Sequence, residues 1–146
     1  MTNMFRSTAT RLVLVAGALT LAACSSMMAG MHSDSVTLTG ANEVPAITTS
    51  ASGTGAMMIA TDGSVTGSIT VTGMEPTMAH IHQGAPGANG PVIVPLTQSG
   101  NVFTAPAGAK LTEAQMAAYR AGNLYLNVHS AAHPAGQIRA QLKSAA

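Results

Sequence analysis

In residues 65–72, Val65, Ile69 and Val71 fall on one side of an extended chain and Thr66, Ser68, Thr70 and Thr72 on the other, with Gly67 interrupting the run. Successive side chains of a strand point to opposite faces, so this period of two specifies a sheet with one buried face. Similar short apolar stretches recur at 35–39, 55–60, 78–83, 91–96, 101–104, 124–129 and 136–142, separated by Gly, Pro, Asn and Asp. Asp62-Gly63 supplies a hairpin turn after 55–60, and 91–96 is expected to pair with 101–104 around Gln98-Ser99-Gly100. The single helical signal is 111–121: Thr112 caps, Gln115 occupies the capping-box position, Gly122 stops the helix, and Met116 and Tyr119 share a face. Many short strands with turn residues between them predict an all-β domain, an antiparallel Greek-key sandwich or flattened barrel with one short helix.

The first segment does not belong to that domain. Arg6 and Arg11 precede an apolar run at 12–21, which at about ten residues is half the ~20 needed to span a bilayer, and Leu21-Ala22-Ala23-Cys24 follows. This is the pattern of a secretory signal, and its ending resembles the bacterial lipobox, which implies that Cys24 is lipidated and becomes the new N-terminus. Lipidation accounts for the only cysteine in the chain, which otherwise leaves a lone thiol in an oxidising compartment. Ser25 after Cys24 resembles the sorting pattern of the outer membrane, should the source be Gram-negative. The expected organisation is signal peptide 1–23, flexible tether 24–35, domain 36–142 and C-terminal tail 143–146, exported and anchored to the cell envelope.

Within the mature chain Lys110, Arg120, Arg139 and Lys143 oppose Asp34, Glu43, Asp62, Glu75 and Glu113, a net charge of about −1. With no basic patch and no aromatic platform, the chain is not expected to bind nucleic acid. The tether holds Met27, Met28, Met31 and His32; thioether sulfur is a soft Cu(I) ligand, so this run reads either as a plain linker or as a metal-capture arm.

The residues that bear chemistry are histidines. In Ala79-His80-Ile81-His82-Gln83-Gly84 the two imidazoles leave the same face of a strand, while in Leu124-Tyr125-Leu126-Asn127-Val128-His129 the aliphatic residues take the core and Tyr125, Asn127 and His129 the other face. If the two strands are neighbours, His80, His82 and His129 converge on a metal; the alternative is a hydrogen-bonded structural cluster. His133, before Pro134 in the following turn, is a fourth candidate ligand. Without cysteine or clustered carboxylates, an all-imidazole set suits copper or zinc, and Met74 and Met78 nearby lean toward copper. No Gly-x-Ser-x-Gly elbow and no closely spaced carboxylate pair occurs, so no catalytic constellation is visible.

Three stretches together resemble the CHRD (chordin) domain: Leu38-Thr39-Gly40-Ala41-Asn42-Glu43-Val44-Pro45; the His80 stretch with Gly87 and Gly90-Pro91-Val92; and the His129 stretch with Pro134 and Gly136-Gln137-Ile138-Arg139-Ala140-Gln141-Leu142. Gln137 stands where that family often has Glu, and Ala46 where it often has a second Pro. The resemblance implies a protein-interaction module, since such domains occur in an extracellular antagonist of signalling proteins. The His-x-His strand is also similar to that of Cu/Zn superoxide dismutase, so the sandwich is expected to be immunoglobulin-like or dismutase-like. The zinc-loop ligands and the disulfide of that enzyme have no counterpart here. The combined expectation is a lipid-anchored binding module holding copper or zinc through its histidines. Its alternatives are a metal-independent adhesion domain with an envelope protein partner and, less well supported, a small metalloenzyme.

Overall fold

The structure, a computed structural model, describes residues 31–144. The signal peptide, Cys24 and the Met27-Met28 run lie outside the described residues. Nine strands and one helix follow in order: β1 Met31–Thr39, β2 Ser52–Ala60, β3 Val65–Thr72, β4 Pro76–Gln83, β5 Val92–Pro95, β6 Thr97–Ser99, β7 Val102–Thr104, α1 Glu113–Arg120, β8 Leu124–Ser130 and β9 Ile138–Leu142. All pair antiparallel in one sheet of order β5-β4-β8-β9-β1-β2-β3-β7-β6.

The sheet curls into a nearly closed barrel because its two ends are consecutive in the chain. β5 pairs with β4 and β6 with β7, with only Leu96 between them. The Leu96 N–H donates to Ala79 O at 3.0 Å, and Gln98 Nε2 reaches back to Pro76 O at 2.9 Å. The expected pairing of 91–96 with 101–104 is therefore corrected. The tight Gly100-Asn101 turn sets Ser99 opposite Val102, so only Thr97–Ser99 can join β7, while the preceding half of the stretch is paired with β4.

β1 also starts earlier than expected. Met31 to Ser35 pair with Ala60 to Ala56 of β2, so the last five residues assigned to the tether belong to the sheet. Backbone pairing along β2 does not require the alternation that was missing from 31–35.

The barrel interior is filled by the apolar face of each strand, with Leu38, Met57, Ile69, Ile81, Phe103 and Leu126 at most 1% exposed. Burying one such side chain is worth about 1.5–3 kcal/mol. Met58, one residue on from Met57, faces the other way and is only half-buried. The β2–β3 turn is tied by Asp62, whose Oδ1 accepts from Ser64 N at 3.0 Å and Oδ2 from Ser64 Oγ at 2.9 Å. In α1 the capping box forms as expected, with Thr112 Oγ1 accepting from Gln115 N and Thr112 N donating to Gln115 Oε1, and Met116 and Tyr119 enter the core. Among the described residues no helix is long and apolar enough to cross a membrane.

One strand departs from the one-faced rule and thereby defines the site. All seven residues of β8 are buried, including Tyr125, Asn127 and His129 on the face turned away from the barrel interior. The loop after β4, the turn before β9 and the segment after β1 supply the polar partners of this outer face, so it forms a second, polar interior.

Candidate metal centre

The register of β4 against β8 places Met78 opposite His129, His80 opposite Asn127 and His82 opposite Tyr125. Alternation puts all six on the outer face, so the three histidines occupy three corners of one patch and Asn127 the fourth. Ring centroids lie 4.9 Å apart for His80 and His129, 5.6 Å for His80 and His82, and 6.2 Å for His82 and His129. One nitrogen from each ring can be chosen so that all three lie within 4.8 Å of one another. His133 does not join this group: it sits in the turn, where its backbone N–H donates to Ser130 Oγ at 3.1 Å.

Hydrogen bonds fix which nitrogens face inward. His82 Nδ1 lies 2.9 Å from Gly90 O and His129 Nδ1 3.0 Å from Pro134 O. A carbonyl only accepts, so both Nδ1 atoms carry the proton and both Nε2 atoms keep a lone pair. Metal-bound histidines are commonly oriented this way, by donating the other ring N–H to a backbone carbonyl. His80 Nδ1 is 3.1 Å from His129 Nε2 and donates to it when the cluster is neutral. Moving that proton to Nε2 of the half-exposed His80 ring turns Nδ1 into a third inward donor.

These dimensions fit an ion. Two nitrogens bound tetrahedrally at ~2.0–2.1 Å stand about 3.3 Å apart, close to the His80–His129 spacing. His82 Nε2 is buried and has no hydrogen-bond partner, an arrangement that costs about 1–3 kcal/mol unless something fills it. His80 and His129 are also biased toward the neutral form that a ligand must have. Burial pushes His80 below the usual histidine range, with the neighbouring His129 and His82 rings adding to the effect. Burial lowers His129 too, partly opposed by its bond to Pro134.

Around the triad lies a polar network that strand alternation did not reveal. The His82 ring stacks on Tyr125, centroids 4.7 Å apart and planes within 6°. Arg139 Cζ sits 3.4 Å from the same Tyr125 ring, and the guanidinium donates to Ala88 O, Ala85 O and Asn89 Oδ1 of the loop after β4. Arg139 is thus held by loop carbonyls, a side-chain amide and an aromatic face, and its charge also acts on Glu43. Glu43 is itself buried. Desolvation raises its pKa, against the pull of Arg139, the Val44 N–H and the Asn127 side chain.

Of the two methionines expected near the site, Met74 packs against the barrel core, whereas Met78 stands 47% exposed beside His129. A surface cleft of about 470 Å³ bordered by Val36, Asn42, Pro86, Arg139, Gln141 and Lys143 includes none of the three histidines.

A nearly closed antiparallel barrel carrying an imidazole cluster on a covered outer face defines the class as a small β-domain with a built polar site. The CHRD domain model matches residues 35–142, and the chain belongs to that family. No curated protein and no solved structure matches it.

Proposed function

We propose that this CHRD domain is a lipid-anchored, exported binding module that holds one copper or zinc ion through His80, His82 and His129. The observation that carries the reading is His82 Nε2, buried and unpartnered beside two other imidazoles. A purely structural cluster has no use for that atom, whereas a metal site requires it. The cysteine-free, nitrogen-only donor set suits Cu(II) or Zn(II). Anchoring rests on Leu21-Ala22-Ala23-Cys24, with Ser25 supporting the outer membrane in a Gram-negative cell.

Calorimetric titration of the purified chain with Zn(II) and Cu(II), together with metal analysis, tests the site. One ion per chain is expected, lost in a His80→Ala/His82→Ala double variant; full retention by that variant refutes it. Radiolabelled palmitate incorporated by the wild type and not by Cys24→Ala tests the anchor.

A second reading follows from the family: a metal-independent interaction domain for an envelope protein. A co-purifying partner that survives chelation and loss of the histidines supports it over the first.

A further inference from the structure

Two atoms of the covered patch on β4 and β8 are buried without a partner, and the second is Asn127 Oδ1. Asn127 is 2% exposed, stands directly across from His80, lies two residues before His129 on the same face of β8, and is diagonal to His82. It is therefore the residue of the sheet that the three imidazoles surround. Its amide is oriented from the other side. Asn127 Nδ2 and Glu43 Oε1 both lie within 2.6 Å of the point a Cβ on Gly136 would occupy, so the amide nitrogen faces the Glu43 carboxyl, whose Oε1 is itself buried without a hydrogen-bond partner. The nitrogen is thus turned toward the β9 side of β8, which leaves the oxygen on the β4 side, where His80 is.

We infer that Asn127 Oδ1 is the fourth protein donor of the histidine site, with Glu43 as the positioning residue that fixes and polarises its amide. This rests on the reading of the triad as a metal centre and extends it. A buried carboxyl group beside Nδ2 polarises the amide toward Oδ1, as the outer partners of metal ligands do. An oxygen donor added to three imidazoles makes the site one for a divalent, borderline cation, Zn(II) or Cu(II), and disfavours Cu(I), which is selected by sulfur. The same arrangement gives a reason for a buried carboxyl group on a chain with few charges.

The experiment is a Zn(II) titration of the full chain, purified in detergent, followed by calorimetry and by the side-chain ¹³Cγ and ¹⁵Nδ2 resonances of Asn127. In the wild type those resonances are expected to move in step with Zn(II) occupancy, a readout that needs no variant to fold. Asn127→Leu and Glu43→Gln are each expected to weaken Zn(II) about 10–100-fold. Wild-type binding with unmoved Asn127 resonances and an unchanged affinity in Asn127→Leu overturns the inference and leaves the triad standing. A wild type that takes up neither Zn(II) nor Cu(II) overturns the triad and this inference with it.

Discussion

Tyr125 is held between two planar groups from its neighbouring strands: the His82 imidazole stacks on it at 4.7 Å, and the Arg139 guanidinium approaches its centroid at 3.4 Å. The phenol is the common wall of the histidine cluster and of the loop that Arg139 ties down. Tyr125→Ala is expected to cost about 3–5 kcal/mol, as for other buried aromatic truncations, and to weaken metal binding by releasing His82. Tyr125→Phe keeps the stack and loses only the hydroxyl's bonds with Gly90, accepted from its N–H and donated weakly to its O, at about 1 kcal/mol. Urea unfolding of both variants checks the contrast, which fails if the two cost the same.

Arg139 satisfies two backbone carbonyls and one side-chain amide of the loop after β4. Replacing it with Met leaves those acceptors unmatched and is expected to cost at least about 2 kcal/mol, the scale of hydrogen bonds to a charged group. Hydrogen exchange at the Ala88 amide, which donates to Ala85 O, should accelerate in the variant. Unchanged protection there contradicts the anchoring role.

Gly136 and Gly87 both have positive φ, +131° and +78°, but only Gly136 is crowded. An added methyl at Gly136 meets Glu43 Oε1 at 2.5 Å and Asn127 Nδ2 at 2.6 Å, while at Gly87 nothing lies within 4 Å. Gly87→Ala should therefore cost only the left-handed backbone penalty, about 1–2 kcal/mol. Gly136→Ala should cost more and lower metal affinity as well, and equal melting temperatures for the two variants argue against the tight Glu43–Asn127 packing.

Acid sensitivity has two windows. His80 and His129 are both held below the ordinary histidine value of 6.5, so the unfolded chain takes up protons before the folded one. The metal-free protein should lose stability as the pH drops from about 6.5 through the folded values, and His80→Ala should flatten that slope. Asp62 behaves as a depressed carboxylate, at about 2 against 3.8, because Ser64 and then Lys110 hydrogen-bond it. Its contribution is present above 3.8 and disappears as the pH falls through about 2, so Asp62→Asn should matter at neutral pH and not in strong acid. Melting temperatures in chelator from pH 8 to 5, and from 5 to 2, check both slopes.

The sheet was legible because alternation is a local property: the Val65–Thr72 strand, the Asp62-Gly63 turn and the Thr112-Gln115 cap are each written within a few residues. The two histidine strands could be set side by side on the same ground, and His80, His82 and His129 do meet. What could not be read was the covering of the outer face. Tyr125, Asn127 and His129 alternate with core residues just as solvent-facing side chains do, and only the returning loop makes them interior. The role of Arg139 was hidden for a related reason, since its partners are carbonyls and a ring from distant segments and leave no mark in local charge pairing. The strand-pair error at 91–104 came from treating one bent stretch as a single partner for β7.

That bend determines how the molecule meets its neighbours. Both margins of the sheet belong to the nine-residue run from Val92 to Gly100, so the barrel has a single seam, fastened by Gln98 on Pro76. A foreign strand seeking to zip onto this domain must first prise open that seam. Where many copies are concentrated side by side, such a closure keeps them from polymerising edge to edge.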